Sequence, residues 1–195
     1  MVCEGRPVAA SRNETAPQYA LGLLRRQFDL TWELFEYHLE RLEPDDFLWE
    51  PAAHCWTVRR ADDGTWVPDW AESEPTPVPV PTIGWLSWHI GWWWSVAIDH
   101  AHGRAPRERS CVTWPGAGRP TAEWLRGLRA DWLAALDRFT GADLDATAPF
   151  PWQNDPHHTV AHMVAWVNAE LMKNAAEIGQ LRLQRAAGHP STTPG

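Results

Sequence analysis

Four stretches of this chain repeat apolar residues at helical spacing. The first, from about Pro17 to Leu42, carries Leu21, Leu24, Phe28, Phe35, Leu39 and Leu42 at mostly three- and four-residue steps. The second begins near Pro81, a residue suited to a first helical turn, and reaches about His102 ahead of Gly103. Its stripe is Ile83, Leu86, Ile90, Trp93 and Ala97. The third, roughly Thr121 to Phe139, places Leu125, Leu128, Trp132, Leu136 and Phe139 on one face, with Gly141 as a stop signal. The fourth, about His157 to Arg185, is the most regular. Val160, Val164, Val167, Leu171, Asn174, Ile178 and Leu181 step by 4, 3, 4, 3, 4, 3, the seam of an antiparallel bundle helix. The pattern predicts an all-α four-helix bundle.

The connections are uneven. Leu48 to Val80 forms a long link between the first two helices, rich in Pro and Trp, with a small hairpin expected around Asp63-Gly64. Trp49, Trp56, Trp66 and Trp70 make it read as a lid packed over one bundle end. Gly103 to Pro120 is consistent with a crossover, and no internal repeat is visible. The expected organisation is an N-terminal extension (1–16), one bundle domain (17–185) and a disordered tail (186–195).

Composition changes this picture in one respect. A chain of 195 residues with 44% hydrophobic and 22% charged residues is an ordinary globular protein with one sizeable core. Fifteen tryptophans are not ordinary. Each has a large ring to bury and an indole N–H to satisfy, which calls for either a wide-bodied core or an aromatic-walled cavity for a small-molecule ligand. The net charge of −8, with no basic run, argues against nucleic acid and anionic membrane surfaces as partners. Basic residues are arginines apart from one lysine, Lys173. Without a run of about 18 apolar residues no transmembrane helix is expected. An N-terminus lacking an apolar core, and three scattered cysteines (Cys3, Cys55, Cys111), fit a reduced cytoplasmic protein.

Candidate chemistry centres on His89, in the segment TIGWLSWHIGWWW from Thr82 to Trp94. On the fourth predicted helix Asn174 sits within the apolar seam. At 100° per residue Glu170 lies about 40° and Glu177 about 60° to one side of it, with Lys173 further round that flank. His89 lies beside Leu86 and Trp93 on the flank of its own stripe. A buried polar group without a partner costs about 1–3 kcal/mol, so the pattern predicts a cluster of His89, Glu170, Asn174 and Glu177. Three readings of that cluster stand. It is a structural polar network with Lys173 paired to Glu170 or Glu177. It holds a divalent metal (Zn, Ni, Mn or Fe) through His89 and Glu170, with weak help from Asn174. Or it is a metal-free acid–base or binding site, with His89 and Glu170 as catalytic residues and Asn174, Glu177, Trp85 and Trp93 binding substrate. His158 and His162 have the i,i+4 spacing of a metal pair, but they point about 160° and 120° away from Asn174, towards solvent. His54, His100 and His102 show no partner in the pattern, and Cys55 is a candidate reactive thiol.

Three stretches carry a family resemblance: LWEPAAHCWTVRR (Leu48 to Arg60), TIGWLSWHI (Thr82 to Ile90) and ELMKNAAEIG (Glu170 to Gly179). On these the chain resembles the DinB superfamily of four-helix-bundle proteins, in particular a Trp-rich bacterial branch, over roughly residues 17 to 185. The resemblance implies a divalent metal held by three histidines, one from the second helix and two, four residues apart, from the fourth. The first falls on His89. The pair falls on Glu170 and Asn174, and the acidic or amide position that follows falls on Glu177. The resemblance also implies a small-molecule site at one bundle end. It further implies metal-dependent transfer or isomerisation with a low-molecular-weight thiol of the mycothiol or bacillithiol type. The alternative is a metal-free small-molecule-binding protein whose tryptophan-lined cavity performs no catalysis. Bundles of this type often dimerise through an exposed apolar face, so a homodimer is an expected partner.

Overall fold

The computed structural model describes residues 16–188. The molecule is mostly helical: α1 (Ala16–Leu39), α2 (Ile83–Ala101), α3 (Arg119–Leu136), a short α4 (Gly141–Asp145) and α5 (Val160–Gly188). The four long helices coincide with the four periodic stretches, and α5 is the fourth of these. The short α4 lies beyond the stop expected at Gly141, held by a reciprocal cap between Thr140 and Asp143. Helix α5 continues to Gly188, past the boundary expected at 185. Residues 1–15 of the expected extension and 189–195 of the expected tail lie outside the described residues.

Helix α2 is the central element. It starts where the hydroxyl of Thr82 accepts the backbone N–H of Trp85 at 3.2 Å. It ends ahead of Gly103, whose φ of +66° a side chain would resist. Helix α5 lies along α1 and against α2, and α2 packs on α3. The α2–α3 approach is close because Gly91 leaves room for the ring of Trp124, which a Cβ at that position would strike. Nearly the whole length of α2 is buried, as expected for a helix apolar all round. Trp88, Trp94, Trp114 and Trp132 are among the fully buried side chains of the core. Two of their indole N–H groups are satisfied locally: Trp88 donates to the carbonyl of Val112 and Trp114 to the hydroxyl of Ser87, each at 2.9 Å.

The all-α expectation is modified by four short strands in the α1–α2 connection. These are β1 (Cys55–Trp56), β2 (Val58–Arg60), β3 (Trp66–Pro68) and β4 (Val80–Pro81). Strands β2 and β3 form the expected hairpin, with Gly64 at φ +83° in its turn. Strands β1 and β4 pair in parallel, closing the connection on itself. The connection packs on the first half of α2: Gly84 donates its N–H to the carbonyl of Phe47 at 2.7 Å, and Trp56 stacks on Trp85 at 5.0 Å. The link from α2 to α3 is pinned at its start by Asp99. Its buried carboxylate accepts from the guanidinium groups of Arg104 (2.9 Å) and Arg107 (2.8 Å). Among the described residues no helix is long and apolar enough to cross a membrane.

Candidate functional site

One face of α2 is not sealed. His89, Trp92 and His100 are only partly buried, while their neighbours along the helix are covered. With Val96 they form a stripe at three- and four-residue steps, which on a helix is a single side. Against it opens a cavity of about 320 Å³ lined by His89, Trp92, Trp93, Val96, Phe150, Trp166, Glu170 and Lys173. That volume lies at the small end of ligand pockets. Its walls are aromatic: Trp166 meets Trp93 edge-on at 5.4 Å and Phe150 edge-on at 5.1 Å. Its polar groups are three. Lys173 and Glu170 form an ion pair at 2.7 Å, one turn apart on α5, and His89 faces them from α2.

His89 is held as a neutral imidazole. Its ring stacks on Trp85 at 4.9 Å, and Trp92 meets it at 5.8 Å. Burial disfavours the charged ring, and the Lys173 ammonium opposes it further; together they lower the His89 pKa to about 4. Its Nδ1 is buried with no hydrogen-bond partner among the described residues. An orphaned polar atom in a cavity wall is a place for a ligand or a water to bond.

The cluster expected around His89 is divided. Asn174 is buried and fully engaged: its carbonyl oxygen accepts the indole N–H of Trp93 at 3.2 Å, and its amide donates to Glu177 at 2.9 Å. It does not line the chamber. Glu177 lines a separate groove with Val80, Pro81, Leu86 and Leu181. Trp85 stands behind His89 rather than in the chamber wall, and donates to the carbonyl of Asp69 at 2.7 Å. Of the residues expected to touch substrate, the structure brings together His89, Trp93 and Glu170. It adds Trp92, Val96, Phe150, Trp166 and Lys173. Trp92 and Val96 follow His89 at i+3 and i+7 and were accessible by helical arithmetic, as was Trp166 four residues before Glu170. Phe150 comes from the irregular α4–α5 link and has no periodic signal.

Of the three positions expected to ligate a metal, His89 and Glu170 share the chamber wall and Asn174 does not line it. The Asn174 oxygen serves Trp93, Glu170 serves Lys173, and a lysine ammonium stands at the wall where a divalent cation would be held. Among the described residues no group of three or more His, Cys, Asp or Glu side chains is placed to hold a metal ion.

Four of the other histidines have partners that the sequence did not reveal. His158 is half-buried against Trp152 at 4.2 Å, while His162 is exposed and its Nδ1 accepts the backbone N–H of Thr159 at 2.9 Å. His100 stacks on Phe150 at 5.9 Å and His102 contacts Arg138. The Cys55 thiol donates to the carbonyl of Ala52 at 3.0 Å and is not in the chamber wall.

Beyond Trp92, Val96 and Phe150 the chamber adjoins an open cleft of about 770 Å³. Those three side chains line both spaces. The cleft adds Trp70 and Arg109 from the connections, and Gln153 and Asn154 from the α4–α5 link. The site is thus built where the elaborated connections meet the open stripe of α2.

No curated protein matches the chain. The DinB superfamily model matches residues 27–178, the greater part of the sequence from α1 through most of α5. The chain belongs to the DinB superfamily.

Proposed function

We propose that this protein is a small-molecule-binding member of the superfamily. In this reading its chamber, set in a DinB-like four-helix bundle of α1, α2, α3 and α5, takes an apolar or aromatic ligand without a metal. The observation that carries the reading is the wall itself. Five largely apolar side chains, Trp92, Trp93, Val96, Phe150 and Trp166, surround a cavity whose titratable groups among the described residues are a neutral imidazole and one ion pair. Burying an aromatic ligand against such a wall releases roughly 25 cal/mol for each Å² of apolar surface removed from water. His89 then serves as a hydrogen-bonding group through its unpartnered nitrogen, and Lys173 and Glu170 orient the ligand's polar edge.

A thiol-dependent transferase is the second reading, supported by Lys173, whose ammonium would stabilise a thiolate beside His89. It requires a group able to take the thiol proton. An ordinary thiol, with pKa near 8.5, loses its proton to a base of pKa about 4 at a cost of about 6 kcal/mol. That cost favours binding over catalysis. The two separate in a titration of tryptophan fluorescence with apolar aromatic probes, run beside Val96→Phe, which fills the chamber from α2. The binding reading expects quenching in the wild type and its loss in the variant. Equal quenching in both places the ligand elsewhere.

A further inference from the structure

We propose that the ligand is elongated and acidic, with its apolar body in the His89 chamber and an oxoanion, carboxylate or phosphate, held in the outer cleft by Arg109. The inference rests on the chamber being a ligand site. Three observations carry it.

The two spaces share Trp92, Val96 and Phe150, so a molecule seated in the chamber has its outward end directed along those side chains into the cleft. Arg109 stands in that cleft with its guanidinium over the ring of Trp70, 4.3 Å from the centroid. The cation–π contact anchors the guanidinium in the cleft wall, and a planar guanidinium carries its donors around its edge. Those donors are uncommitted in a way that the neighbouring ones are not. Arg107 gives its Nε, a terminal nitrogen and its backbone N–H to Asp99. Among the described residues the Arg109 guanidinium has only Glu72 as an ion-pair partner, at 3.6 Å, beyond hydrogen-bonding distance, on a carboxylate 91% exposed to solvent. An exposed pair of that kind is worth little and yields readily to a better acceptor. A planar fork with free donors, anchored by an aromatic ring, suits bidentate recognition of an oxoanion.

The cleft lining also has an unusual backbone. Gln153 and Asn154, neither of them glycine, both adopt positive φ, 52° and 65°. Left-handed conformations at non-glycine residues gather at ligand sites, where the fold has a reason to hold them. Here they place two amide-bearing residues in the lining of the same cleft as Arg109.

Calorimetric titration with ω-phenylalkanoates of graded chain length tests the proposal, using the corresponding alcohols and phosphate monoesters as separate arms. The expected result is that the wild type prefers an acidic arm over the alcohol by about tenfold or more at the best-fitting length. Arg109→Gln brings that arm down to the alcohol, whose affinity is unchanged, and Arg109→Lys keeps part of the preference. Whichever acidic arm shows the larger Arg109-dependent gain identifies the oxoanion as carboxylate or phosphate. Equal binding of acid and alcohol by the wild type, or a preference that survives in Arg109→Gln, overturns the acidic subsite while leaving the chamber intact. Failure of all three arms to bind would instead remove the chamber reading, and this inference with it.

Discussion

Trp93 on α2 donates its indole N–H to the side-chain oxygen of Asn174 on α5, and both residues are almost wholly buried. The bond joins two helices at the seam where the sequence placed a ligand-binding amide, and it engages the side-chain oxygen of that amide. Asn174 is therefore a structural crosslink beside the chamber. Asn174→Leu, close in volume, would leave the Trp93 N–H and the Glu177 carboxylate without their partner. The expected cost is about 1–3 kcal/mol in chemical denaturation, with the affinity for an aromatic probe unchanged. A variant of full stability that no longer bound the probe would return Asn174 to the binding site.

The neutral state of His89 has a consequence in acid. Its folded-state pKa is about 4 against an ordinary 6.5, so below pH 6.5 the unfolded chain takes up the proton first. Stability then falls as the pH drops from 6.5 towards 4 and levels off below. His89 alone accounts for about 3 kcal/mol of this fall. Burial also lowers the pKa of His38, His100 and His102, so the wild-type curve contains their contributions as well. The difference between wild type and His89→Phe isolates the one residue. Denaturant midpoints across this range should run closer to level in the variant, and parallel curves would show that His89 is not held neutral by burial.

Asp99 works in the opposite direction. Hydrogen bonds from Arg107, then Arg104, hold its pKa down at about 2, and they do so at the start of the segment that carries Arg109. The stabilisation is complete above the ordinary carboxylate value of 3.8 and is lost as pH falls towards 2. Asp99→Asn should cost about 2 kcal/mol at neutral pH and nothing further in acid. It should also raise hydrogen exchange in the backbone from Arg104 to Cys111, because Arg107 loses its anchor. Unchanged exchange there would mean that the cleft wall does not depend on Asp99.

Much of the fold was legible because helix packing writes itself into spacing. The 4, 3 steps from Val160 to Leu181 mark the face of α5 that is buried, and the Asp63-Gly64 turn marks the hairpin. The parallel pairing of Cys55–Trp56 with Val80–Pro81 left no trace in sequence, because two-residue strands are too short to show a period. The candidate site was legible in half. Periodicity placed His89 and Glu170 on facing helices, but it reports only the angle around a helix. It could not show that Trp93 reaches Asn174 first, or that Glu177 turns to another groove. Nor could it place Phe150, which enters the chamber from an irregular link. Spacing offered Lys173 either Glu170 or Glu177 as a partner, and the structure pairs it with Glu170. That the ammonium borders the His89 chamber follows only from the packing of α5 against α2.

The central claim is a chamber at His89 that binds an apolar ligand without a metal. Calorimetric titration of indole into chelator-treated protein, repeated after addition of Zn or Ni, tests it most directly. The expected result is binding of the same affinity with and without metal, and its loss in Val96→Phe. Binding that appears only after metal is restored, and that disappears in His89→Ala, would contradict it.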